Sequence, residues 1–326
     1  MRSVKIGAQL PMWDYHVHSE VSFSHIREVA LCAEELGFDY VSADDHLSRG
    51  RGGRVYDSWT TLSALASLTK RVRLVTIVLC NLYRYPSVLG KMAATLDDVS
   101  GGRVEIGIGA GWKQEEADAF GIPWAEPRER LDRLEESVEL LKRLWTEEKA
   151  YYEGRYYKLN GAVCNPKPKQ KPHPPIWIGG GGEKRTLRIV ARLANVANFA
   201  APGIGSNKEG ESEFDYFKRK RDLVKQYCEE IGRPFNEIQL SASINLMLWG
   251  KEEDYVKRSI DEAVSRGLSQ GEIERMKHMF DTAVRTPEEC LEKIKAYIDC
   301  GATYFTLNRC TPYGLRLFAK EVMPKL

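Results

Sequence analysis

The chain has 326 residues, of which 43% are hydrophobic and 29% charged, and its formal net charge is +2. Interspersed basic and acidic residues, and the absence of any run near the ~18 apolar residues of a membrane span, give no reason to expect a nucleic-acid or membrane partner. The seven cysteines and six histidines are dispersed without metal-ligand spacing, which predicts reduced thiols, a cytoplasmic location and no metal.

Strands and helices alternate through the first half of the chain. The strand "KIGAQL" precedes a helix over 24–36, and Gly37 is placed to cap that helix. Then come the strand "FDYVSA", a helix over 58–69, the strand "VRLVTIVL", a helix that begins at Pro86 and the strand "RVEIGIG".

The second half repeats this alternation with larger insertions. A long amphipathic helix over 127–145 precedes a polar excursion with a hairpin near Gly154. Four more strands alternate with helices, and the last helix covers 313–322. Eight strand–helix repeats without a dividing linker predict an α/β fold, a (β/α)8 TIM barrel with insertions, as a single domain over 1–326. A doubly wound sheet is the alternative, but it would need fewer strands.

Polar and glycine-rich residues follow the predicted strands, where a barrel of this kind carries its chemistry. Asp45 and His46 come directly after the second strand. They could form a proton-transfer pair, since histidine titrates near neutrality, or a helix cap and a core histidine.

The stretch "EIGIGAGW" at 105–112 places glycines at the end of the fourth strand. A Rossmann dinucleotide-binding fingerprint has the spacing GxGxxG after the first strand and an acidic residue ~20 positions later. Here the spacing is GxGxG and follows the fourth strand, so we reject a Rossmann dinucleotide site. The glycines indicate either a strand end that stays bare so that something bulky can approach, or small residues that fill a barrel interior.

The run "GGGGEKRTL" at 179–187 lies between a strand and a helix. Backbone N–H groups at a helix N-terminus bind anions, so this run predicts a phosphate site. A flexible turn is the alternative.

Together, these segments resemble the luciferase-like flavin and deazaflavin oxidoreductases. The resemblance rests on "ADDH", "TIVLCNLYRYPSVLGKMAATLDDVSGGRVEIGIGAGW", "GIPWAEPRERLDRLEESVELLKRLW", "YEGRYYKL", "PHPPIWIGGGG" and "LRLFAKEVMPKL", which cover nearly the whole chain in the family's order. The forms "GAGW" and "IWIGGGG" are most similar to the branch that uses coenzyme F-420 rather than FMN.

The resemblance implies a bulge in the third strand, often with a cis non-proline peptide, against one face of the cofactor ring. It also implies the roles of individual residues. The catalytic candidates are His46 and Asp45. The cofactor-binding candidates are Asp45, Ile77, Val78, Cys80, Asn81, Gly109, Ala110, Gly111, Gly180, Gly181 and Gly182. The candidates for the substrate pocket are Trp13, Tyr83, Trp112 and Phe199.

One departure from the family matters for mechanism. Some deazaflavin dehydrogenases carry a glutamate as proton donor directly after the GxG turn, where this chain has Trp112. Glu115 and Glu116 come one helical turn later, and we expect them not to reach the site. The sugar-phosphate dehydrogenase mechanism is therefore not carried over.

The resemblance implies an oxidoreductase that transfers a hydride between F-420 and a small organic substrate. The alternatives are an FMN-dependent monooxygenase and a non-catalytic flavin-binding protein. A basic path beyond the phosphate loop, with Lys184, Arg185 and Arg188 as candidates, would favour F-420. The loops that would define the substrate are 11–24, 150–173 and 203–214. Dimers are common among similar proteins, so the resemblance allows a homodimer.

Overall fold

The computed structural model describes residues 4–13, 21–48, 53–199, 210–248 and 283–326, and between the last two ranges residues 257, 260, 261, 264, 265, 267 and 270–281. The strands within them are β1 (Lys5–Gln9), β2 (Tyr40–Ala43), β3 (Arg73–Thr76), β4 (Leu79–Cys80), β5 (Val104–Gly109), β6 (Ala150–Glu153), β7 (Lys158–Ala162), β8 (Ile176–Gly179), β9 (Val196–Asn198), β10 (Gln239–Asn245) and β11 (Tyr304–Asn308).

A closed parallel barrel is built from nine of these strands. Their order is β3, β2, β1, β11, β10, β9, β8, β5, β4, and a pairing of β3 with β5 closes the ring. Because β3 and β4 are two pieces of one interrupted strand, the barrel has eight strand positions, as predicted from the strand–helix repeats. β6 and β7 form the separate antiparallel hairpin expected around Gly154.

The helices of the described residues are α1 (Phe23–Glu35), α2 (Ser58–Leu68), α3 (Pro86–Ser100), α4 (Gln114–Ala119), α5 (Pro127–Thr146), α6 (Thr186–Leu193), α7 (Glu213–Glu230), α8 (Gln270–Asp281), α9 (Pro287–Asp299) and α10 (Pro312–Glu321). Short 3-10 turns cover Phe235–Glu237 and Met323–Lys325. Within the described ranges, no helix is long and apolar enough to cross a membrane.

Local sequence signals explain where the helices begin and end. Asp57 caps α2 by accepting a hydrogen bond from Thr60 N at 2.7 Å, and Pro86 opens α3 as predicted. Gly37 follows α1 with a φ of +78°, the left-handed conformation that glycine adopts most easily.

Aromatic side chains fill the amino end of the barrel. Tyr40, Trp177 and Tyr304 are the first or second residues of β2, β8 and β11, and their rings pack edge to face or tilted at 5.0–6.0 Å. Buried Glu105 accepts a hydrogen bond from Trp177 Nε1 at 2.6 Å and pairs with Arg73. Because this end is packed, the site can form only at the carboxyl ends of the strands.

Candidate active site

The third barrel strand is interrupted where the resemblance implied a bulge. The peptide between Ile77 and Val78 is cis, which confirms that expectation. Next to the break, the Thr76 hydroxyl replaces strand pairing, because it accepts from Gly107 N at 2.8 Å and donates to Gly107 O at 2.9 Å. The bulge is therefore joined to β5 by a side chain.

The glycines of β5 and β8 make room for this bulge. A Cβ atom on Gly107 would lie 1.9 Å from Thr76 O. A Cβ on Gly109 would lie 3.0 Å from the Val78 side chain, and one on Gly179 would lie 2.7 Å from it. The space beside these glycines is filled by the chain's own atoms, which agrees with the interpretation of small residues that fill a barrel interior. That the strand end also admits a bound cofactor stays a prediction. The Val78 side chain forms a shelf at the barrel mouth.

The Asp45 carboxylate is buried in a dense set of hydrogen bonds. Oδ1 accepts from Ser58 Oγ at 2.8 Å, and Oδ2 accepts from Cys80 N at 2.9 Å. Arg84 Nη1 donates to both oxygens at 3.0 and 2.8 Å, while its Nη2 donates to Asp57 at 2.6 Å. This geometry gives Asp45 a positioning role, because it fixes the backbone of β4 directly after the bulge.

The His46 imidazole is paired with Glu116, 70 residues further along the chain. Nδ1 lies 2.8 Å from Glu116 Oε1, and Nε2 lies 3.9 Å from Asp44 Oδ2. The expectation that Glu116 would not reach the site was wrong. The turn over 110–113 leads directly into α4, whose first turn brings the Glu116 carboxylate within hydrogen-bond distance of His46.

Glu116 is held as a buried anion. Burial raises its pKa, but the hydrogen bond and charge of His46, together with Leu47 N–H and the Lys113 ammonium, outweigh burial and lower that pKa to about 2. Tyr83 adds a long contact of 3.4 Å from its hydroxyl to Oε2. Since an ionised carboxylate only accepts hydrogen bonds, Nδ1 of His46 carries its proton, and Nε2 is the atom left for chemistry.

Two tryptophans flank the His46 ring. Trp13 packs on it edge to face at 5.6 Å, and Trp112 does so at 5.9 Å. The Trp112 residue is 57% exposed, so its indole is available to a substrate at the mouth. Phe199 directly follows β9, is buried, and packs its ring against Phe217 of α7 at 5.3 Å. The structure thus brings Trp13 and Trp112 to His46, brings the Tyr83 hydroxyl to Glu116, and packs Phe199 against α7.

The charge of Glu116 leads to a testable pH dependence of stability. A folded-state pKa of about 2, against an ordinary 4.5, means that the charge stabilises the fold above pH 4.5 and that this stabilisation is lost as the pH falls toward 2. We expect Glu116→Gln to cost on the order of 3 kcal/mol at pH 6. Denaturant unfolding of the wild type and the variant from pH 6 to 3 would show the difference between their free energies of unfolding becoming smaller. A difference that stays constant over this range would contradict this explanation.

The segment after the bulge presents groups that fit a bound ring. Cys80 is buried, which raises the pKa of its thiol to about 11, so this thiol stays protonated at neutral pH. The Asn81 side chain is buried, and its Nδ2 has no hydrogen-bond partner among the described residues. Gly111 has a φ of +80°, and a Cβ there would lie 2.7 Å from Cys80 Sγ. Ala110 is half-buried and packs against the hydrophobic core. An unpaired amide donor beside a bare turn fits a ring that carries carbonyl and nitrogen acceptors.

The predicted phosphate loop also has the expected form. Gly180 adopts a φ of +135°, and α6 begins at Thr186. A Cβ on Gly180 or Gly182 would lie within 3 Å of the Thr186 side chain, and a Cβ on Gly181 would lie 2.5 Å from the Tyr216 hydroxyl. Only glycines fit this loop, which leaves a cradle of backbone at a helix N-terminus, and this fits a phosphate.

The expected basic path beyond this loop is not supported. Arg185 pairs with Asp132 at 2.5 Å, and Arg188 pairs with Glu230 at 2.6 Å. Lys184 is exposed. Two of the three candidate cations therefore already have carboxylate partners and offer little charge to an acidic cofactor tail.

Known proteins similar to this chain include luciferase-like and F420-dependent enzymes. A family model described as "Luciferase-like monooxygenase" matches residues 11–320. An F420-dependent glucose-6-phosphate dehydrogenase from Amycolatopsis mediterranei is 30% identical over 324 residues, covering 92% of this chain and 93% of the relative. A second protein of that name, from Microbacterium testaceum, is 30% identical over 323 residues, covering 93% of each chain.

A solved structure has the same fold throughout. It is an F420-dependent secondary alcohol dehydrogenase in complex with an F420–acetone adduct, with a TM-score of 0.79, 19% identity and 98% of both chains covered. The match of a family model to nearly the whole chain is decisive: this protein belongs to the luciferase-like monooxygenase family.

Proposed function

We propose that the protein is an F420-dependent oxidoreductase that transfers a hydride between the deazaflavin and a small organic substrate. The observation that carries this proposal is the pairing of His46 with Glu116 at the same barrel mouth as the Val78 shelf. A shelf and one polarised histidine suit hydride transfer coupled to proton transfer. The relatives named as F420-dependent support the choice of cofactor.

The shelf, the Asn81 amide and the glycine loop would hold the cofactor. Val78 would support one face of the ring, Asn81 Nδ2 would donate to its polar edge, and the loop over 179–182 would receive the phosphate. The bound deazaflavin supplies a carbon, C5, that accepts or releases a hydride. Asp45 keeps β4 in place beneath this arrangement through Cys80 N.

His46 manages the proton that accompanies the hydride. When a carbonyl is reduced, its oxygen gains a proton, and when an alcohol is oxidised, its oxygen loses one. Glu116 fixes the proton on Nδ1, so Nε2 donates in the first direction and accepts in the second. The His46 side chain is only 10% exposed, which limits exchange of its proton with water.

The substrate of the named relatives is not carried over to this chain. Trp112 stands where some deazaflavin dehydrogenases carry a glutamate, and with Trp13 it provides aromatic edges around His46. These walls suit a substrate with an apolar part next to its reacting oxygen. Residues 14–20 and 203–209, in two of the loops expected to define the substrate, lie outside the described residues.

Three broader predictions belong with this proposal. They are a cytoplasmic location, a homodimer and a single domain over 1–326. The location is supported by the seven cysteines, all unpaired and buried. The single domain is supported by the parallel pairing of β1 with β11, which joins the first and last strands in one barrel.

Titration with F-420 and with FMN, followed by cofactor fluorescence, tests the proposal. We expect micromolar or tighter binding of F-420, at least tenfold weaker binding of FMN, and bleaching of F-420 absorbance with a suitable alcohol. The reverse preference would favour the FMN-dependent monooxygenase. F-420 binding without turnover across a broad alcohol and carbonyl panel would favour a non-catalytic flavin-binding protein.

A further inference from the structure

The phosphate loop is backed by a buried hydroxyl that the sequence did not single out. Tyr216, in the first turn of α7, is 2% exposed, and its hydroxyl has no hydrogen-bond partner among the described residues. This hydroxyl lies 2.5 Å from the point that a Cβ on Gly181 would occupy. A buried hydroxyl without a partner is costly, so its position against the loop points to a ligand that is held there.

The cations around the loop cannot take that role alone, because they already have partners. Lys220 is fully buried, donates to Gly181 O at 2.7 Å and pairs with Glu183 at 2.9 Å. Arg219 pairs with the same Glu183 and also with Glu211, whose Oε1 accepts a hydrogen bond from Arg219 Nε at 2.6 Å. Arg185 and Arg188 are paired to other carboxylates, and Lys184 is exposed, so the enclosed groups closest to the loop that are left to hold a phosphate are uncharged donors.

We propose that the Tyr216 hydroxyl donates a hydrogen bond to the cofactor's phosphate and, with Thr186 on the other side of the loop, completes an uncharged cradle for it. This inference rests on the proposed function. The deazaflavin phosphate is a diester with a single negative charge, whereas the monoester of FMN approaches two charges at neutral pH. Backbone N–H groups and two hydroxyls suit the singly charged diester, because no unpaired cation is needed to offset a second charge.

The test compares F-420 with FO, the same deazaflavin without phosphate and tail. Fluorescence titrations give the affinity of each for the wild type, for Tyr216→Phe and for Tyr227→Phe. Tyr227 is a matched control, since it is a buried tyrosine in the last turns of the same helix. We expect Tyr216→Phe to weaken F-420 binding roughly 10- to 100-fold, the range for a hydrogen bond to a charged group. FO binding should stay within about twofold, which also shows that the variant is folded.

The outcomes separate the two proposals. If Tyr216→Phe weakens the binding of F-420 and FO equally, or weakens neither, then Tyr216 is a packing residue. The proposed phosphate cradle is then overturned, while the proposed function stands. Thr186→Val provides a second variant, for which we expect the same selective loss. If the wild type binds neither F-420 nor FO, the proposed function fails and the phosphate assignment fails with it.

Discussion

Replacement of His46 by alanine is expected to lower kcat by about 10²- to 10³-fold, the range for loss of a positioned acid–base group. The affinity for F-420 should change by less than about threefold, because His46 contacts Glu116 and two tryptophans rather than the shelf or the phosphate loop. Steady-state kinetics and fluorescence titration of the same preparations would separate the two effects.

His173→Ala is a suitable control for this experiment. His173 precedes β8, at the opposite end of the barrel, and its ring lies 6.1 Å from Trp145. We expect near wild-type kcat for this variant. An equal loss of turnover and cofactor affinity in His46→Ala would remove the catalytic role of His46 and make it a residue that shapes the ring site.

Replacement of Asp45 by alanine is expected to lower the free energy of unfolding by about 3–5 kcal/mol, the cost of removing one partner from a buried ion pair. The Asp45 side chain is 1% exposed. Its loss leaves Arg84 with Asp57 alone and removes the acceptors for Ser58 Oγ and Cys80 N. Denaturant unfolding measures the change directly.

Asp45→Asn distinguishes positioning from catalysis. The amide keeps one acceptor and the shape of the side chain but loses the charge, so we expect a smaller loss of stability than in Asp45→Ala. If Asp45 only positions β4, turnover and cofactor affinity should fall together. A variant that stays within about 1 kcal/mol of wild type, binds F-420 normally and loses turnover would restore the catalytic role expected from the sequence.

The barrel itself was largely predictable from sequence, because strand–helix alternation is a local pattern. The cis bulge at Ile77–Val78 was also predicted, although only the resemblance to a family could locate it. The apolar run "TIVL" carries no local signal for a bulge.

Contacts between distant segments were the part that sequence could not give. Glu116 was placed out of reach because helical spacing describes a helix but not the turn before it. Asp45 was assigned to chemistry from its place after a strand and from the family resemblance. Its partners Ser58 and Arg84 could not be foreseen, because their side-chain directions depend on the closed barrel. In the structure Glu116 and Ala117 are the buried residues of α4, and a buried carboxylate needs a partner. The sequence alone did not mark which face of this short helix is buried.

The close packing of Val78 against Gly109 and Gly179 limits which substitutions this site can accept. Val78 occupies space that a side chain on Gly109 or Gly179 would need. A larger residue at either glycine is tolerated only if Val78 becomes smaller in the same chain, whereas Val78 can shrink alone. Substitutions at these three positions should therefore be strongly non-additive, and the depth of the ring site can be tuned through Val78 first.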